Sequence, residues 1–164
     1  MSELVRPFAV KRIGDSGASV QVEANAEECT AIAARLLIPG VSSLQCHWRL
    51  DPVVGGAVLA RGALRAAVTQ LCIVTVEPFP AEVTEDFTVR FVLEDRLSEE
   101  GDDPDEPDEL IYDGITLELG EATVEQLALA LDPYPRAPGA VLPDLGEDEG
   151  SGAFDALAEL RKPH

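Results

Sequence analysis

The side chains able to do nucleophilic or metal chemistry are three cysteines, Cys29, Cys46 and Cys72, and two histidines, His47 and His164. A cysteine nucleophile needs a nearby base. His47 could serve Cys29 or Cys72, whereas the adjacent Cys46 would point to the opposite face of a strand. A zinc site would require Cys46, His47 and Cys72 to converge, because the chain has no Cys-x-x-Cys pair. An odd number of widely spaced cysteines is more typical of buried, reduced thiols in a cytoplasm than of a disulfide framework.

Phosphate and carboxylate chemistry is equally weakly indicated. Gly55-Gly56 and Gly62 belong to no GxGxxG or GK[ST] pattern, so no phosphate-binding loop is predicted. Carboxylates are abundant, but many lie in segments too poor in apolar residues to hold a catalytic geometry. We therefore expect a protein that is not an enzyme, with no catalytic residues, no cofactor and no metal.

The acidic residues are concentrated in two short segments. Residues 94–109 hold ten acids and one base, Arg96, and a second cluster consists of Asp144, Glu147, Asp148 and Glu149. Low apolar content with Pro and Gly predicts a flexible internal loop at 94–109 and a flexible tail. The loop could serve only solubility, could dock a basic partner, or could bind calcium. The calcium interpretation is weak, because the spacing of Asp102, Asp103, Asp105 and Asp108 lacks the glycine and the final glutamate of an EF-hand loop.

Charge also restricts the partners. The 164-residue chain has a formal net charge of −19 from 31 acids and 12 bases. This charge argues against a protein that binds DNA or an anionic membrane surface. Direct contact with RNA would need a local basic face, and Arg49, Arg61, Arg65 and Arg90 lie on strands that we expect to be neighbours. The beginning, MSELVRPFAVKRI, has no apolar signal-peptide segment, and no run of 18 apolar residues occurs. We expect a soluble, cytoplasmic protein.

Hydrophobic alternation predicts the strands. Residues 44–50 and 83–93 alternate apolar with polar side chains, as expected of strands with one buried face. Residues 56–72 form a third extended run, and residues 7–13 and 18–24 form two shorter ones, joined by Gly14-Asp15-Ser16-Gly17 in a hairpin-like connection. Such short connections favour antiparallel pairing.

Helical periodicity appears in three places. Asn25 and Glu28 form a capping-box pattern before an apolar face from Cys29 to Leu37, which Pro39-Gly40 ends. A second helix is predicted over 122–131, before Asp132-Pro133, and a short third one over 154–161. The fold class is therefore α+β: an antiparallel sheet of about five strands, open or barrel-like, with two packed helices. Residues 1–139 would form one domain, and residues 140–164 a tail with a short helix.

Residues 70–94 read QLCIVTVEPFPAEVTEDFTVRFVLE, and residues 115–139 read ITLELGEATVEQLALALDPYPRAPG. In this order the two blocks resemble the YceD family of large ribosomal RNA subunit accumulation proteins. The first block is similar to the family's central motif, a strand that ends in a Cys-x-x-Cys knuckle followed by Glu-Pro and a second strand. The second block resembles the family's second motif, a strand, a helix and a proline-rich exit. The ending GAFDALAELRKPH is similar to the family's terminal helix.

The chain departs from the family pattern at the cysteines. Cys72 is present in the knuckle, Thr75 stands at the second cysteine position, and the exit has no cysteine. A zinc or redox role is therefore not carried over. The reversal at Cys72–Pro78 is retained, and Pro78 and Pro80 are expected to limit strand pairing.

The resemblance implies a non-enzymatic accessory protein that supports accumulation of large-subunit ribosomal RNA. Because the chain is so acidic, the expected partner is a basic ribosomal protein, an assembly factor or an RNA-processing enzyme, with direct RNA contact as the alternative. We expect the acidic residues 94–109 to attract the partner by their charge. We expect two preformed segments, the knuckle and the exit, to make the specific contact with it. The candidate contact residues are Cys72, Thr75, Glu77, Pro78, Asp132, Pro133, Tyr134, Pro135, Arg136 and Pro138.

Overall fold

The computed structural model describes residues 2–96 and 106–143. In chain order the strands are β1 (Pro7–Ala9), β2 (Ala18–Glu23), β3 (Gly40–Pro52), β4 (Val58–Leu71), β5 (Pro78–Leu93), β6 (Asp108–Tyr112) and β7 (Thr116–Glu118). The helices are α1 (Ala26–Leu36) and α2 (Leu119–Ala130), and single 3-10 turns cover Val10–Arg12 and Glu94–Arg96. The predicted α+β class is confirmed.

A five-stranded sheet in the order β2-β3-β4-β5-β6 forms the body of the described part. The pairs from β2 to β5 are antiparallel. One face, the inner face, packs on the helices with buried residues such as Leu44, Cys46, Trp48 and Leu64. The outer face has largely exposed polar and charged side chains at the alternate positions, as expected of a sheet with one buried face.

Trp48 connects the sheet to α2 at the centre of this core. Its indole Nε1 donates a hydrogen bond to Thr123 Oγ1 at 3.0 Å, and that hydroxyl donates to the Leu119 carbonyl at 2.7 Å. The Phe87 ring meets Trp48 edge-on at 5.1 Å between centroids. Gly62, paired with both residues across the sheet, leaves the space for Phe87. A Cβ there would lie 2.1 Å from Phe87 Cζ.

The capping box predicted for the first helix is confirmed. The Glu28 amide donates to Asn25 Oδ1 at 2.9 Å, and the Asn25 amide donates to Glu28 Oε2 at 2.8 Å. Arg6 adds a two-point ion pair to Glu28, with both contacts at 2.8 Å, and this contact with Arg6 lowers the pKa of the Glu28 carboxyl. The second helix begins three residues earlier than predicted, at Leu119.

Of the two alternatives, open and barrel-like, the described residues form an open sheet with β2 and β6 at its edges. The prediction that the sheet is antiparallel throughout is wrong, because β6 runs parallel to β5. A parallel neighbour needs a long connection, which the stretch between β5 and β6 supplies. The predicted N-terminal hairpin is also wrong: β1 pairs with β7 instead of β2, after the Val10–Arg12 turn redirects the chain.

The acidic loop is shorter at both ends than predicted. Glu94–Arg96 form a 3-10 turn, and Asp108 and Glu109 belong to β6. Residues 97–105, the acidic cluster at 144–149 and the predicted helix over 154–161 lie outside the described residues, so the flexible loop and tail stay predictions.

Candidate functional site

The knuckle joins the two longest strands of the sheet. β4 ends at Leu71 and β5 begins at Pro78, and the reversal between them is closed by two backbone hydrogen bonds. The Cys72 amide donates to the Glu77 carbonyl, and the Val76 amide donates to the Cys72 carbonyl, both at 2.9 Å. Val76 adopts a left-handed conformation with φ of 58°, which is uncommon for a β-branched residue.

The proline-rich exit, residues 132–139, follows α2 and lies against the knuckle. The Ile73 amide donates to the Pro135 carbonyl at 2.9 Å, and the Ala137 amide donates to Cys72 Sγ at 3.3 Å. The side chain of Gln70, which is 6% exposed, donates to the Asp132 carbonyl at 3.2 Å. Three hydrogen bonds therefore fix the position of the exit relative to the end of β4.

Local turns shape the exit on either side of these contacts. The Asp132 carboxylate accepts a hydrogen bond from the Tyr134 amide at 2.9 Å, an arrangement that stabilises a turn. The Ala140 amide donates to the Ala137 carbonyl at 3.0 Å, across Pro138 and a Gly139 of φ 80°. Glycine is favoured at that second turn position.

Cys72 lies buried between the two segments, with 1% of its surface exposed. Hydrogen bonds from the Thr75 side chain, from the Ala137 and Thr75 amides and from the Val74 amide lower the pKa of its thiol to about 7. Donors directed at a thiolate stabilise the charged form. The other two thiols are shifted the opposite way, since burial raises the pKa of Cys29 and raises that of Cys46 to about 12.

The structure thus brings the ten predicted contact residues onto one end of the sheet. Cys72 is buried inside the knuckle, and Thr75, Glu77 and Pro78 are exposed. In the exit, Pro135 is half-buried against the knuckle, whereas the others are exposed: Asp132, Pro133, Tyr134, Arg136 and Pro138. Their contact with a partner stays a prediction.

Two exposed apolar side chains of this surface were not predicted. Ile73 and Val76 are 46% and 68% exposed, and Tyr134, which precedes the Pro135 that accepts from Ile73, is 70% exposed. The signal available in the sequence was their place in a reversal between strands, where apolar alternation has ended and no buried position requires Ile or Val. We call the exposed residues Ile73, Val76, Glu77, Asp132 and Tyr134 the knuckle–exit surface.

The predicted arginine face also exists, on the outer face of the sheet. Arg49 and Arg61 are direct cross-strand partners, and both contact the carboxylate of Asp51, at 3.1 and 3.0 Å. Arg90 lies 3.7 Å from Glu109, and Arg65 is exposed on the same face. Three of the four guanidinium groups therefore already face a carboxylate of this chain.

The described residues contain no group of three or more metal-ligating side chains placed to hold a metal ion. None of the helices in residues 2–96 and 106–143 is long and apolar enough to cross a membrane.

A known protein family matches the part of the chain that contains this surface. The family model described as Large ribosomal RNA subunit accumulation protein YceD matches residues 60–160, well over half of the chain. The chain belongs to the YceD family. The YceD match begins within β4 and includes the knuckle, β5, α2 and the exit, so both halves of the knuckle–exit surface lie inside it. No curated protein and no solved structure matches the chain.

Proposed function

We propose that this YceD-family protein is a non-enzymatic accessory factor that supports accumulation of large-subunit ribosomal RNA by binding a basic protein partner. The family supports the process, since its description names accumulation of the large ribosomal RNA subunit. The partner is a basic ribosomal protein, an assembly factor or an RNA-processing enzyme in the cytoplasm.

The observation that carries the proposal is the hydrogen-bonded union of knuckle and exit. A contact surface that is already ordered before binding costs less conformational entropy when the partner binds. Here the bonds from Ile73 and Ala137 order the exit. The ordered surface exposes the apolar Ile73, Val76 and Tyr134 together with the acidic Glu77 and Asp132. Apolar anchors with an acidic rim suit a basic protein surface.

Net charge favours a protein partner over RNA. A chain of charge −19 repels a phosphate backbone, and the acidic tract at 94–109 would attract a basic protein over several ångströms. Direct RNA binding is the second candidate, supported by the four arginines on the outer face of the sheet. It is the weaker one, because Asp51 and Glu109 already occupy three of those arginines.

The test is complementation of a strain that lacks the protein. We expect sucrose-gradient profiles of that strain to show a deficit of large subunits, with large-subunit ribosomal RNA reduced relative to the small-subunit RNA. Wild-type protein should restore the profile, and the double variant Val76→Ser/Tyr134→Ala should not. A matched control is Val54→Ser, because Val54 is 99% exposed and lies at the opposite end of β4 from the knuckle.

The outcomes separate the parts of the proposal. A normal profile in the deletion strain, under stress as well as at optimum growth, would reject the role in ribosome biogenesis. A deficit that the Val76→Ser/Tyr134→Ala variant restores as well as wild type, at equal protein level, would reject the knuckle–exit surface as the contact.

A further inference from the structure

One edge of the sheet is left without a neighbouring strand along most of β5. β5 pairs with β4 from Pro78 to Phe91, all but its last two residues. On its other side, β6 pairs only with Val89–Leu93. Within residues 2–96 and 106–143, residues 78–88 therefore form a free strand edge, which we call the β5 edge.

The backbone groups that face outward on the β5 edge can be assigned. The Cys72 amide donates to the Glu77 carbonyl, and the β4–β5 register is continuous from there, so the odd-numbered residues of β5 face β4. Proline has no N–H to donate to β4, which agrees with Pro78 and Pro80 standing at even positions. The N–H and C=O groups of Glu82, Thr84 and Asp86 consequently point away from the sheet, and all three residues are exposed.

The side chains beside this edge form a groove on the inner face. Phe79, Ala81 and Val83 alternate along β5 with the residues whose backbone groups point away from the sheet. Their side chains are half-buried. They form one wall of a groove of about 340 Å³, and the end of α2 with Asp132 and Arg136 of the exit forms the other. A strand added to the β5 edge would place alternate side chains over this groove, as in peptide recognition by strand addition.

Charge selects the occupant. Residues 71–89 contain Glu77, Glu82, Glu85 and Asp86 and no lysine or arginine. The nearest arginines are Arg65, across the sheet from Thr84, and Arg136 in the far wall of the groove, where Asp132 lies with it. Where the free edge ends, β6 begins with Asp108 beside Val89. A second copy of this chain pairing through the same edge would bring acids opposite acids, which is destabilising, and charged edges are a known protection against self-association. A segment with lysine or arginine at alternate positions would instead lie opposite carboxylates.

We propose that the β5 edge binds an extended, lysine- or arginine-rich segment of a protein partner, which adds to the sheet as a sixth strand. The inference rests on the proposed function for the identity of the partner as a basic protein. It adds the way in which that partner is held: main-chain hydrogen bonds to Glu82, Thr84 and Asp86, and ion pairs to their neighbouring carboxylates.

The direct test is amide hydrogen exchange of the full chain with a synthetic eight-residue peptide of alternating Lys and Val. We expect exchange of the Thr84 and Asp86 amides to slow at least tenfold when the peptide is bound. The amides of Ser19 and Gln21 on β2, at the opposite edge of the sheet, should be unchanged. A peptide of alternating Glu and Val should protect neither edge. Equal protection of both edges, or binding without protection of Thr84 and Asp86, would overturn the proposal.

Variants make the same test on the protein. Thr84→Pro removes one N–H that points away from the sheet and that donates no hydrogen bond to β4. We expect this variant to weaken peptide binding at least tenfold. Thr84→Val keeps the N–H and should bind as wild type. If Thr84→Pro fails to fold, Glu82→Lys/Asp86→Lys should lose the Lys–Val peptide and gain the Glu–Val peptide. Unchanged peptide preference in that variant would overturn the proposal.

The experiments distinguish failure of the strand-addition proposal from failure of the proposed function. If the Lys–Val peptide leaves the β5 edge unprotected while Val76→Ser/Tyr134→Ala fails to restore the large subunits, strand addition is rejected and the biogenesis role stands. If the peptide protects the edge and the deletion strain has a normal ribosome profile, strand addition stands and the role in ribosome biogenesis is rejected.

Discussion

The amide of Ala137 donates a hydrogen bond to the sulfur of Cys72 at 3.3 Å, joining two residues that are 65 positions apart in the sequence. This contact connects the exit to the knuckle. It also places an N–H dipole on a thiol that accepts from the Thr75 side chain and other backbone amides. The sulfur therefore serves as a hydrogen-bond acceptor within the surface that we propose for partner binding.

The Cys72 contacts predict a pH dependence of stability. The pKa of this thiol is lowered from 9.0 to about 7 in the folded chain, so the folded state binds fewer protons than the unfolded state between these values. The free energy of unfolding should therefore gain a contribution as pH rises from 7 to 9 and lose it as pH falls through 7.

Urea unfolding of wild type and of Cys72→Ser at pH 6.5, 7.5 and 8.5 measures that contribution. Serine does not ionise in this range, and Cys29 and Cys46 are present in both proteins. We expect the stability of wild type relative to Cys72→Ser to grow with pH. A difference that stays constant over the three values would show that the thiolate is not stabilised in the folded state.

Thr123 is predicted to stabilise the fold through its hydroxyl. It is fully buried, and it accepts from Trp48 Nε1 while donating to the Leu119 carbonyl. Thr123→Val keeps the shape but leaves the indole N–H without a partner, which should cost about 1–3 kcal/mol. Thr123→Ser keeps the hydroxyl and should cost less. Equal losses for the two variants in urea unfolding would assign the effect to packing alone.

The sequence predicted best what depends on neighbours in the chain. Asn25 and Glu28 are three residues apart, so the capping box could be read directly. The strand β6 could not, because Asp108 and Glu109 belong by composition to an acidic loop. Its extended conformation follows from pairing with Val89–Leu93. Local secondary-structure propensity contains no information about a strand partner that is distant in the sequence. β1 could not be placed for the same reason, because its partner β7 lies more than 100 residues away.

The candidate site divides in the same way. Both of its segments could be found from the sequence, the knuckle by its place between two strands and the exit by Asp132-Pro133 after a helix. Their contact could not, since it depends on a buried Gln70 side chain and on an amide directed at Cys72. Ile73 and Val76 were missed because an apolar residue in a reversal carries no periodic signal.

Gly62 is predicted to be essential for the aromatic packing under α2. Alanine there would place its Cβ within 2.1 Å of Phe87 Cζ, and Phe87 contacts Trp48. Gly62→Ala should destabilise the protein by about 1–3 kcal/mol, because the half-buried Phe87 ring must be displaced from its contact with Trp48. Ala63→Ser, on the adjacent exposed position of β4, is the matched control and should change stability little. Unchanged tryptophan fluorescence and unfolding in Gly62→Ala would contradict this packing.

The arginine face provides the prediction that separates the two candidate functions. Arg61 and Arg65 lie four residues apart on the outer face of β4, and Arg61 is already paired with Asp51 at 3.0 Å. If the protein acts through a basic protein partner, Arg61→Gln/Arg65→Gln should restore large subunits in the deletion strain as wild type does. If the protein acts by binding RNA, the same variant should weaken RNA binding, lower its salt dependence and fail in complementation.

Glu82→Gln/Asp86→Gln is the complementary pair on the neighbouring strand β5. In the protein-partner mechanism it should reduce complementation, and in the RNA mechanism it should improve binding, because two repelling carboxylates are removed from the same outer face of the sheet.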